Sequence, residues 1–86
     1  MRELEKSLKA LANRRRLGIL KYLKAQGEAA VADIASEIHI SFKATSKHLG
    51  VLHGADIVER EQKSAQVFYH LARIQVPAAQ RIIALL

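Results

Sequence analysis

No cysteine occurs in the 86 residues. That excludes a disulfide framework and any thiolate metal site, and it removes the commonest nucleophile of small redox enzymes. A cytoplasmic protein is the simplest expectation. Glycine is scarce, with four residues, and nowhere forms the Gly-rich loop that cradles a phosphate. Aromatic residues make up 5% of the chain, too few for the stacking platform that single-stranded RNA requires. No apolar run approaches the ~18 residues of a transmembrane helix. The charged start, Met1 to Leu11, has no secretory hydrophobic region, so no membrane partner is expected. There is no carboxylate pair in a plausible pocket and no supported Ser-His-Asp set, so neither enzyme activity nor a cofactor is expected. His39, His48, His53 and His70 have no recognisable ligand spacing, and no metal site is expected from them.

Acidic residues are also few: eight, against fourteen lysines and arginines, for a net charge of +6. A basic balance on a small domain points first to nucleic acid. The excess is uneven. Arg2, Lys6, Lys9, Arg14, Arg15, Arg16, Lys21 and Lys24 are opposed only by Glu3 and Glu5 over residues 1–25. Half the residues are hydrophobic, and the length suits a single domain, 1–86.

Leu4, Leu8 and Leu11 make one stripe on a short amphipathic first helix, about 2–12. Asn13 is a good N-cap. Leu17, Ile19, Leu20 and Leu23 mark a second helix, ended at Gln26-Gly27. Val31, Ile34, Ala35 and Ile38 form a third helical stripe. After His39-Ile40, Ser41 caps a fourth helix with Thr45, Leu49 and Leu52 inside, closed by Gly54-Ala55-Asp56. The period then changes. Residues 57–62 and 65–71 read as two strands joined by a polar tip, Lys63-Ser64, with Val67, Tyr69 and Leu71 on one face. Pro77 suits the first turn of a brief apolar last helix, about 76–86. The expected fold is mostly α with a small β-hairpin, in the order α-α-α-α-β-β-α.

Two short helices joined by a tight turn form a helix-turn-helix, and the following hairpin makes it winged. Ala35, Ile38, Ile40, Thr45 and Leu49 pack the inside of the corner, which leaves Phe42, Lys43, Ser46, Lys47 and Gly50 outside. In this motif the second helix meets base edges in the major groove. Lys43 can donate to guanine, and Ser46 can donate or accept. Without a partner the two lysines are simply a solvated helix face; the wing beside them favours DNA. Phe42 either contacts a thymine methyl or caps the corner. His48 lies at the boundary of core and groove, where packing or a phosphate contact is favoured.

The run LKALANRRRLGIL, then ADIASEIHIS, TSKHLGVLHGADIVERE and VFYHL, resembles the ArsR/SmtB family of repressors over about residues 7–72. The resemblance implies a homodimeric repressor on a pseudo-palindromic double-stranded operator, with an interface made by the first and last helices. It also implies metal-sensor ligands: cysteines on the third helix, or Asp, His and Glu on the last. Val31–Ile38 has no cysteine, and 76–86 has no His, Asp or Glu, so metal release of DNA is not expected. His39 stands where the turn often has glycine; histidine tolerates positive φ at some cost.

The expected DNA-facing set is therefore Ser41, Phe42, Lys43, Ala44, Ser46, Lys47 and His48 on the fourth helix, with Arg60, Lys63 and Ser64 on the wing. Arg14, Arg15 and Arg16 join them as a phosphate site at the start of the second helix, where cations are otherwise unfavourable. One of the three is alternatively tied to a carboxylate such as Glu3 or Glu37. The expected dimer contacts are Leu4, Leu8, Leu11, Ile82, Ile83 and Leu86. The competing reading is a winged-helix module for protein–protein contact, which would want an acidic or apolar outer face.

Overall fold

Capping residues set the helix boundaries in the computed structural model, which describes residues 1–86. α1 (Arg2–Leu11) stops just before Asn13, whose backbone is extended and whose Oδ1 accepts the N–H groups of Arg15 and Arg16 at 3.0 and 3.1 Å. Those bonds start α2 (Arg14–Gln26). Gly27, at φ 82°, ends it. α3 (Val31–Ile38) follows, and α4 (Phe42–Gly54) begins where the Ser41 hydroxyl accepts the Ala44 N–H at 3.0 Å. α5 (Pro77–Ala84) has proline in its first turn, as expected.

Three strands make one antiparallel sheet, in the order β1 (Ala29–Ala30), β3 (Gln66–Leu71), β2 (Val58–Lys63). β2 and β3 are the expected hairpin, with pairs running from Val58↔Leu71 to Lys63↔Gln66. Two details differ from expectation. The tip is Ser64-Ala65, one residue later than Lys63-Ser64, because Lys63 is still paired and Ser64 takes the positive φ of 55°. β1 was not foreseen: two alanines pair with Phe68 and Tyr69 and seat the base of the hairpin against the helices.

The core draws on every helix. Ile19, Leu20, Leu23, Ile34, Leu49, Leu52 and Ile57 are essentially inaccessible, and Tyr69 joins them from β3. Each such aliphatic side chain contributes about 1.5–3 kcal/mol. Leu11 and Ile83 also lie in this core, at 4% and 8% exposure. α1 packs on α5 within one chain, so these two of the expected dimer contacts are buried within the single chain.

The end of α1 leaves no carbonyl stranded. Leu8 and Leu11 accept from the N–H groups of Ala12 and Asn13. The carbonyls of Lys9 and Ala10 accept from Arg16, through Nη2 at 3.1 Å and through Nε. Helix ends need such partners when they are buried.

The corner between α3 and α4 turns on His39, at φ 60° and ψ 42°, with its N–H on the Ala35 carbonyl. Its side chain is exposed and makes no hydrogen bond, so it contributes little beyond its backbone. The left-handed conformation costs an ordinary L-residue about 1–2 kcal/mol. His39→Val should therefore lower unfolding free energy by about that amount, while His39→Gly should leave it equal or raise it by up to about 1 kcal/mol. Urea denaturation of both variants measures this.

Candidate nucleic-acid interface

α4 is split lengthwise. Thr45 and Leu49 are fully buried, and the Thr45 hydroxyl donates to the Ser41 carbonyl at 2.9 Å. A buried threonine is tolerated here because its hydroxyl is satisfied within its own helix. Ala35 is buried on the facing helix, and Ile38 is half-buried. The opposite face carries Phe42, 60% exposed, with exposed Lys43 and Lys47, half-buried Ser46 and exposed Gly50. Ala44 is half-buried, and Ser41 serves first as the cap, with its hydroxyl proton still free to donate.

The wing sorts its side chains by face. Arg60 lies opposite Tyr69, and Gln62 opposite Val67. Successive residues alternate faces, so these four share one side. That side and Phe42, Ser46 and Gly50 of α4 form the walls of an open groove of about 640 Å³. The other side carries Glu59, Glu61 and Lys63. His70 Nε2 lies 3.6 Å from Glu59, and Lys63 donates to Glu28 at 2.8 Å while lying 5.2 Å above the Phe68 ring. The hydrogen bond to Glu28 raises the Lys63 pKa above its ordinary value, against a smaller effect of desolvation. Every carboxylate of β2 is thus on the back, and the groove side has Arg60 alone.

The arginine cluster divides in two. Arg14 and Arg15 are exposed, and their side chains form no hydrogen bond or ion pair. Arg16 is half-buried and committed: besides the two α1 carbonyls, its Nη1 lies 3.2 Å from His48 Nδ1. The partners are backbone and histidine, not Glu3 or Glu37. Lys43, Lys47 and Arg60 join no ion pair. Ser64 is exposed at the tip. Gln62 was missed by the sequence reading, although alternation from Arg60 puts it on the same wall. Glu28 was missed because no local pattern links it to a lysine on another element.

Burial, then the charges of Arg16 and Arg15, hold the His48 pKa below its ordinary 6.5. The unfolded chain then takes up that proton more readily than the folded one. The stability His48 contributes is complete above about pH 6.5 and is lost as the pH falls through the lower folded value. The wild-type melting temperature should therefore drop more steeply than that of His48→Gln between pH 6.5 and about pH 5. Equal slopes in parallel thermal melts would contradict this.

A comparison with known proteins matches the family model described as bacterial regulatory protein, arsR family, to residues 13–60. The transcriptional activator HlyU of Vibrio cholerae is 38% identical over 71 residues, covering 83% of this chain and 65% of that protein. The biofilm growth-associated repressor of Agrobacterium fabrum is 40% identical over 65 residues, covering 76% of this chain and 55% of that protein. This chain therefore spans somewhat less than two thirds of the length of these relatives. The solution structure of the homodimeric winged helix-turn-helix DNA-binding domain Mb0332 from Mycobacterium bovis superposes with a TM-score of 0.82 at 34% identity, over 98% of this chain and 74% of that one. With more than half its residues matched by the family model, this winged helix-turn-helix chain belongs to the arsR family of bacterial regulatory proteins.

Proposed function

We propose that this protein is a homodimeric repressor that reads a pseudo-palindromic site in double-stranded DNA in the cytoplasm. The observation that carries this is the unpaired cationic face: Lys43 and Lys47 on α4 and Arg60 on the groove wall meet no carboxylate. Cations left unpaired beside a helix that fits a major groove support phosphate and base contact. Lys43 and Ser46 sit in the first half of α4, the part that reaches base edges in this motif. Arg14 and Arg15 supply further cations for phosphate, and Ser64 carries the wing tip outward. Lys63 contributes only after release from Glu28. Repression is the reading named for the Agrobacterium relative; a bound dimer achieves it by occupying the promoter.

The dimer proposal rests on apolar surface that the chain leaves uncovered. Leu4 and Leu8 are 45% and 48% exposed on one face of α1, and Leu85 is 81% exposed beyond α5. Ile82 and Leu86 are half-buried beside it. Leu11 and Ile83 underlie that surface from the core.

Selection of bound sequences from random duplexes should return two inverted half-sites. Lys43→Ala should cost about 1–3 kcal/mol of discrimination between that site and unrelated DNA, read from paired binding titrations. Lys47→Gln and Arg15→Gln should weaken both DNAs alike. Selection that enriches no sequence would overturn the proposal. Leu8→Glu should dissociate the dimer without unfolding it, because Leu8 is outside the monomer core; sedimentation velocity reports the change.

A further inference from the structure

We infer that Arg16 is a positioning residue for DNA reading: its guanidinium fixes the recognition helix α4 against α1 by joining the Lys9 and Ala10 carbonyls to His48 Nδ1. The inference rests on the dimeric DNA-reading proposal above. It takes one arginine out of the expected phosphate-binding set and gives it a different task.

Both ends of Arg16 are held. Its backbone N–H is bound by Asn13 Oδ1 at 3.1 Å, and its side chain spans two helices. A guanidinium has donors only and is always charged. Its contact with His48 Nδ1 therefore requires a lone pair on that nitrogen, which places the ring proton on Nε2 and leaves the imidazole neutral. His48 follows Lys47, lies within one turn of Ser46 and stands five residues past Lys43 on the same helix. A shift at His48 is thus a shift of the whole reading face.

No other side-chain hydrogen bond joins α1 or α2 to α4. A groove of about 410 Å³ lies beside the contact of α1 and α4; the buried Ala10 and Ala55 line it together with Lys9, Arg16, Gly50 and Gly54. Gly50 and Gly54 have no atom within 4 Å of where a Cβ would stand. The contact from α4 is thus made by small residues, and the fork of Arg16 is the directional, hydrogen-bonded tie beside it. If α1 carries the dimer contact, the separation and tilt of the two α4 helices on one DNA depend on it. Two half-sites are read together only when that separation matches the DNA repeat.

Lysine at position 16 keeps the charge but has no planar fork to bridge the carbonyls and the imidazole. The test measures affinity for the selected operator duplex and for a scrambled duplex, across a salt series, with amide hydrogen exchange of the free protein. Arg16→Lys should bind the operator about tenfold more weakly, with scrambled-duplex affinity and salt slope unchanged and faster exchange in the first turns of α4. His48→Leu keeps the Arg16–carbonyl bonds and the fold, and should show the same selective loss. Once His48 is leucine, Arg16→Lys should add little further loss. Equal weakening on both duplexes with a salt slope lower by about one would make Arg16 a phosphate contact and overturn the inference. Additive losses in the double variant, or no loss in either single one, would also overturn it. Failure of the wild-type protein to prefer any operator would instead remove the DNA-reading proposal, and the exchange of α4 would then judge the positioning role alone.

Discussion

Between α1 and α2 two helix ends of opposite partial charge meet around one guanidinium. The last turn of α1 offers unpaired carbonyls, and the first turn of α2 offers N–H groups. Three consecutive cations at the start of α2 are unfavourable by the dipole of that helix alone. Arg16 resolves the conflict by turning back to the negative end of α1, where Lys9 and Ala10 accept its N–H groups. Asn13, between the helices, satisfies the N–H groups of α2 and donates its own N–H to Leu11. This junction, together with the packing of α1 on α5, holds α1 on the body with its Leu4–Leu8 face exposed. The link to His48 carries the constraint into α4.

Charge is distributed with the same economy at the other end of the molecule. Alternation along β2 puts Glu59 and Glu61 on the side away from α4, where His70, Lys63 and Glu28 gather. Arg60 and Gln62 are left on the side toward α4. A net charge of +6 on so small a chain is mild in itself. Segregation of the carboxylates to the back and to other helices makes one concave face cationic, and that local field matters for an anionic partner more than the total.

The helices were legible because each buries one stripe and ends at a residue with a mechanism: Asn13, Gly27, Ser41 and Pro77. The hairpin was legible from its change of period. β1 was not, since two alanines carry no periodicity and become a strand only by pairing with Phe68 and Tyr69. Apolar residues at the termini announced burial but not whose core they enter. Leu11 and Ile83 went into this chain's own core, while Leu4 and Leu8 stayed outside. The recognition face of α4 followed from the corner geometry, because Thr45 and Leu49 leave only one side free. The partners of Arg16 were not legible, because backbone carbonyls have no signature in sequence. Lys63 was expected at the tip because the hairpin turn could be placed only to within a residue, and that residue separates a ladder position from a loop.

These constraints combine into the proposal that a rigid unit presents α4 and the groove side of the wing to DNA, with a second copy presenting the same face one helical turn away. Hydroxyl-radical footprinting on the selected operator tests it most directly, since it reports backbone protection independently of base preference. The account predicts two symmetric protected patches on one side of the duplex, with centres ~34 Å apart. A single continuous patch, or protection that circles the duplex without symmetry, would contradict it.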